Sequence, residues 1–205
     1  MSFGPTTTMV KFNEVLARLA VALDEPVGDF VELLRVLRLT AADADDGRAF
    51  EWANNARLKT LFRRQYGPGG GVEMNAATVG FFLTACLTEG PRREIAEKAL
   101  EMQFAASPLT TRGKRTVCPK TGQRYFGAAL ARVLSDRALF DDVVEIRVCT
   151  KPGLAALVFK NNVTSMFFSV RARKIEDGMY RTAHLSVDKI RFLFDLINQA
   201  EPTTA

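Results

Sequence analysis

The chain has 205 residues, 47% of them apolar and 25% charged, which excludes a disordered or fibrous protein and leaves room for one large or two small cores. No apolar run reaches the roughly 18 residues of a membrane helix, and Met1-Ser2-Phe3-Gly4-Pro5 lacks the basic-then-apolar order of a signal peptide, so a cytoplasmic location is expected. The net charge of +5 is unevenly placed: 12 basic and 14 acidic side chains in residues 1–104 give −2, whereas 16 basic and 9 acidic in 105–205 give +7.

In chain order, Phe12, Val15, Leu16, Leu19 and Leu23 recur at three- and four-residue steps, predicting a helix over residues 8–23. Pro26 interrupts it and suits the start of a second helix to about residue 39, with Phe30, Val31, Leu34 and Leu37 inward. The acidic stretch 41–47 reads as a loop. A third helix runs to about residue 65, on Phe50, Ala53, Leu58, Leu61 and Phe62, and its basic last turns suit the negative end of a helix dipole. Gly67-Pro68-Gly69-Gly70-Gly71 breaks the chain. Asn75 is placed to cap a fourth helix, 76–88, which is apolar nearly all round and therefore central. Gly90-Pro91 ends it and opens a fifth, 91–104, with Ile95, Ala99 and Leu100 inward.

Residues 105–124 form a long segment rich in turn residues, and loops of that length are uncommon unless functional or disordered. From Met102 to Ser135 there is no carboxylate, against Arg112, Lys114, Arg115, Lys120, Arg124 and Arg132. A segment so free of acid carries a positive field suited to phosphate or to an acidic partner. A sixth helix, 126–139, buries Ala129, Leu130, Val133 and Leu134. Four short apolar runs follow, at 143–149, 154–159, 163–170 and 179–185, with connectors of hairpin chemistry. The first alternates Val144, Ile146 and Val148 against Glu145 and Arg147. Met166, Phe167 and Phe168 suggest cover on both faces of the third. Ser186 is placed to cap a final helix with Ile190, Leu193, Phe194 and Ile197 inward.

The expected fold class is α+β: an N-terminal bundle of about five helices, then a helix, a four-stranded antiparallel meander and a C-terminal helix. The expected organisation is a helical domain over 1–104, with a flexible break at 67–71, a basic linker or loop over 105–124, and a small α+β domain over 125–205.

Chemistry is harder to find. Cys86, Cys118 and Cys149 are too far apart for a disulfide framework or a paired-cysteine zinc site, and Cys118 sits in a polar loop where exposure is plausible. The single histidine, His184, lies in the fourth strand run opposite in parity to Ala183 and Leu185, as a sheet-surface residue. Asp43, Asp45, Asp46 and Gly47 miss the spacing of a calcium loop, and Asp141-Asp142 reads as a turn. The glycine run has neither phosphate-binding fingerprint. No catalytic residue, metal site or cofactor is expected.

Nucleic-acid binding has more to work with. The 76–88 and 91–104 helices meet at Thr88-Glu89-Gly90-Pro91, and the second opens with Arg92 and Arg93, where the recognition helix of a helix-turn-helix would meet the major groove. Arg112, Lys114, Arg115, Lys120 and Arg124 would add phosphate contacts. Glu89, Glu94 and Glu97 crowd the same turn, and an ordinary helical hairpin accounts for it equally well. The run Gly67–Gly71, Met74-Asn75-Ala76-Ala77 opening an apolar helix, and the 125–134 segment leading into strands resembles uncharacterised small proteins of bacterial prophages and mobile elements. That resemblance implies a phage-type regulator or accessory factor and carries over no catalytic residue. The sequence thus predicts a non-enzymatic DNA-binding or transcription-associated regulator. The alternative is an adaptor or inhibitor docking a basic surface on an acidic protein, and no membrane partner is expected in either case.

Overall fold

A computed structural model describes residues 12–43, 75–109, 113–114, 116–169 and 181–199. The expected helix ending near residue 65, the glycine run 67–71, most of the acidic stretch 41–47 and the connector between the third and fourth strand runs lie outside the described residues. The protein is α+β, with α1 (Phe12–Leu23), α2 (Val27–Asp43), α3 (Ala76–Cys86), α4 (Arg92–Gln103), α5 (Phe126–Ser135), α6 (Arg137–Asp142), β1 (Val143–Cys149), β2 (Leu154–Phe159), β3 (Thr164–Phe168), β4 (Ala183–Ser186) and α7 (Arg191–Gln199).

α3 is the central helix. Every residue from Thr78 to Ala85 is buried, as its unbroken apolar composition requires. Removing each large side chain, Phe81, Phe82 or Leu83, from water stabilises the fold by about 1.5–3 kcal/mol. The Asn75 side chain accepts a hydrogen bond from the Thr78 amide at 2.9 Å, so the predicted cap is present. α3 packs against α2, α4 and α5. α2 buries Phe30, Leu34 and Leu37 but leaves Val31 50% exposed, against expectation. Its narrow 4- and 3-residue stripe is filled by those three.

The single helix expected over 126–139 is two. Asp136 leaves helical geometry between α5 and α6, and its carboxylate accepts from the amides of Ala138 and Leu139. A short acceptor side chain that satisfies two orphan amides favours a restart there over continuation. Asp141 and Asp142 consequently belong to α6 and not to a turn. Ser186 makes no side-chain cap; a 3₁₀ turn, Val187–Ile190, leads into α7.

The sheet corrects the expected meander. All neighbours are antiparallel, but the order is β3-β2-β1-β4. β4 does not form a hairpin with β3; it returns to pair with β1, which is Greek-key order. The physical reason lies at the far edge. Ala106 donates to the Phe168 carbonyl at 2.8 Å and accepts from the Phe168 amide at 2.7 Å. The end of β3 that a hairpin partner would use is thereby taken by the 105–124 segment. β3 itself alternates, with Ser165 and Phe167 buried and Met166 40% exposed, so it is not covered on both faces.

Ile146, Val148, Leu157, Phe167 and Leu185 face the helices. They share one core cluster with Leu16, Leu37 and Phe82 of the N-terminal helices and with Leu130 and Leu193. The core therefore runs continuously across the 105–124 segment where a domain boundary was expected.

Candidate functional site

The 105–124 segment is built onto the sheet. Ala105 and Ala106 are buried, the Ser107 amide donates to the Arg124 carbonyl at 2.8 Å, and the Thr116 amide to the Pro108 carbonyl at 3.0 Å. At the returning end, the Cys118 amide donates to the Gln123 carbonyl and the Gly122 amide to the Cys118 carbonyl, both at 2.8 Å. Gly122 there has φ +70°, a conformation that costs glycine little. Cys118 is not exposed: it is 1% accessible, with its Sγ 3.2 Å from Ser165 Oγ on β3.

Both legs are thus pinned on the β3 side of the sheet. Lys114, Lys120 and Arg124 are exposed there, beside Leu109, Val117 and Tyr125, which are 59%, 46% and 44% exposed. Lys120 pairs with Asp142 at 2.8 Å, so one of the charges is met by a carboxylate from outside the acid-free stretch. Exposed pairs of this kind contribute about 0–1 kcal/mol and leave the local field largely positive. Arg112 and Arg115 lie outside the described residues.

Arg92 is elsewhere. Its guanidinium pairs with the Asp29 carboxylate of α2. The turn before it is held to the β1–β2 connection by the Glu89 amide, which donates to Thr150 Oγ1 at 3.1 Å. The side chain of Arg93 lies outside the described residues. Arg92 lines a cleft at the β4 edge, whereas the basic loop is fastened to β3 at the opposite edge. Three strand spacings of about 4.8 Å, roughly 14 Å, separate the two edges. Among the described residues, Arg92 lines that cleft and none of Lys114, Lys120 and Arg124 does.

The cleft has a volume of about 580 Å³ and lies between the helix ends and β4. Register places Glu145 opposite Ser186 and Arg147 opposite His184 on the sheet face away from the core. Glu145 accepts from Arg147 Nε at 2.7 Å, and its other oxygen lies 2.6 Å from His184 Nδ1. A carboxylate only accepts, so Nδ1 carries the proton of that bond and Nε2 is left over. Burial pushes the Glu145 carboxyl up, but the hydrogen bonds and charges of Arg147 and His184 outweigh it and hold it below the usual carboxylate range. Half-buried Cys86 also lines the cleft, where burial pushes its thiol well up and away from the reactive thiolate.

Among the described residues, no group of three or more His, Cys, Asp or Glu could hold a metal ion, and no helix is long and apolar enough to cross a membrane. No known family model, curated protein or solved structure matches this chain. The function must be argued from the two surfaces themselves. Sequence reasoning found the loop and missed the cleft. The one available signal was the parity of Glu145, Arg147 and His184, and parity says which face a residue takes but not which strands are neighbours.

Proposed function

We propose that this chain is a non-enzymatic binding protein of the regulator class that engages a polyanion, duplex DNA in the first place, through the basic loop at the β3 edge. The observation that carries the reading is the loop's charge: Arg112, Lys114, Arg115, Lys120 and Arg124 with no acidic residue from 105 to 124. Its two legs are held by backbone hydrogen bonds, so ordering the bound form costs less than it would for a free tail. The helix-turn-helix plays no part in this reading, since Arg92 already has a carboxylate partner.

An electrophoretic shift series with random duplex DNA across salt concentrations tests it. Each lost phosphate contact lowers the log–log salt slope by about 0.9. Lys114→Ala with Arg124→Ala should therefore lower the slope by about 1–2 units and weaken binding, while Arg92→Ala leaves both unchanged. No shift at low salt, or a loss confined to Arg92→Ala, would overturn the reading. The second reading, an adaptor or inhibitor on an acidic protein, is favoured by one specific feature. Leu109, Val117 and Tyr125 stand exposed on and beside the same loop, and apolar area is what a protein interface adds to charge. Absence of a DNA shift together with a stable complex recovered from the native cell, lost in the same double variant, would select it.

A further inference from the structure

The cleft at the β4 edge is a separate site, and nothing in the proposed polyanion binding uses it. Its volume of about 580 Å³ falls in the range of small-molecule sites, about 300–1,000 Å³. Its floor is apolar: Leu23, Phe30, Leu33, Leu87, Ile95 and Leu185 line it. Around that floor, besides the Cys86 thiol, stand six ionisable groups, Glu25, Asp29, Arg92, Glu145, His184 and Lys189. Most of them are already committed. Asp29 is neutralised by Arg92, and Glu145 by Arg147, with its other oxygen hydrogen-bonded to His184.

Two charges of opposite sign remain, the Glu25 carboxylate and the Lys189 ammonium. Both are exposed and have no side-chain partner among the described residues. Glu25 lies two residues past the end of α1, and α1 packs against the turn Val187–Ile190 that carries Lys189. Phe192 also lies with Ala17, Arg18, Val21 and Ala22, so it is the C-terminal half of α1 that approaches this turn. The two free charges therefore reach the same cleft from adjoining elements without bonding each other. A ligand that satisfies both carries a cationic and an anionic group, for which an ammonium and a carboxylate are the simplest pair. One that also uses the floor must carry an apolar side chain.

We infer that the cleft binds a small apolar zwitterion, a free hydrophobic α-amino acid or a dipeptide of such residues, with its ammonium at Glu25, its carboxylate at Lys189 and its side chain on the Leu33–Ile95–Leu185 floor. A singly charged analogue meets only one of the two groups, and a purely apolar one leaves both unmet. Charge pairs of this sort, partly desolvated by the ligand's own body, discriminate between analogues more than they add raw affinity.

The test uses the intact chain and methyl-resolved NMR titration with four probes: L-phenylalanine, L-leucyl-L-phenylalanine, 3-phenylpropanoate and 2-phenylethylamine. At least one zwitterion should bind ten-fold or more tightly than either singly charged probe, with shifts at the methyls of Leu23, Leu33, Ile95 and Leu185. Lys189→Ala should reduce the zwitterion's affinity to that of 2-phenylethylamine, and Glu25→Ala should reduce it to that of 3-phenylpropanoate. Both positions are exposed, so the variants should fold, and their unchanged amide spectra check this. The inference is overturned if neither zwitterion binds, if a singly charged probe binds as well, if the shifts map away from the cleft, or if the variants leave the preference intact. The salt dependence of DNA binding by these variants should be that of the parent chain, which keeps this site distinct from the loop.

Discussion

Replacing Gly127 by alanine should be among the most damaging single-methyl changes in this protein. Gly127 is the second residue of α5, where that helix crosses the end of α4. A Cβ built there would overlap Gln103 Oε1 and stand 2.8 Å from its Cδ and 3.1 Å from its carbonyl oxygen. The long side chain cannot simply swing away. Gln103 is 5% exposed, and its Nε2 donates to Thr84 Oγ1 at 2.6 Å and to the Gly80 carbonyl at 3.4 Å. Displacing the amide leaves buried polar groups unmet, at about 1–3 kcal/mol. The crowding that remains against the Gln103 backbone costs about 1–3 kcal/mol more. Alanine returns up to about 1 kcal/mol over glycine in a helix interior, and less this close to the first turn. The net expected loss is about 2–4 kcal/mol. With a urea m-value near 2 kcal/mol/M, the midpoint should fall by about 1–2 M. Gly28→Ala in the first turn of α2 is the matched control: nothing lies within 4 Å of its would-be Cβ, and it should be neutral or stabilising. In a Gln103→Ala background, the cost of Gly127→Ala should drop to about 1 kcal/mol. A Gly127→Ala midpoint equal to or above that of the parent, or no coupling in the double-variant cycle, would refute the packing argument.

Asn75→Ala removes the acceptor of the Thr78 amide and should cost about 1 kcal/mol; Asn75→Asp should restore most of it in the same urea assay. Glu145 supplies an acid-dependent contribution. Its folded-state value is depressed, so its stabilisation is present above the ordinary value of 4.5 and is lost as pH falls through the lower folded value. Glu145→Gln should therefore destabilise at pH 7, and its gap from the parent should narrow as the pH falls below 4.5; a gap that stays constant down the acid limb would contradict this. Asp141, held low by its bonds to Arg137 and Arg191, should behave in the same sense, with Asp141→Asn lessening acid sensitivity below pH 3.8. Cys86, with its thiol pushed up, and the buried Cys118 and Cys149 should resist iodoacetamide at pH 8 in the native state and react rapidly in urea. Fast native labelling, read by intact mass, would show that these thiols are not sheltered as described.

The sequence determined what local chemistry determines. Spacing of Val15, Leu16 and Leu19 marked the buried face of α1, the all-apolar run placed α3 at the centre, and Asn75 was legible as a cap because capping is decided within four residues. Alternation of Ile146 and Val148 against Glu145 and Arg147 was likewise enough to orient most of β1, but not Val144, which a bulge between Val143 and Glu145 turns outward to 42% exposure. The positive loop needed only a charge count. What stayed hidden depended on which segments become neighbours. A local pattern cannot tell β4 to pair with β1, because parity is the same whichever strand lies alongside; the choice was made by Ala106 occupying the end of β3. Nor could it show that Asp29, sixty-three positions before Arg92, would meet its guanidinium and turn an apparent DNA-reading arginine into a cleft wall. The same long-range packing carried Glu25 and Lys189 to one cleft and set the basic loop at the opposite edge. Local propensity thus wrote the elements and their faces, while tertiary burial chose their partners, and the candidate sites lie at those partnerships.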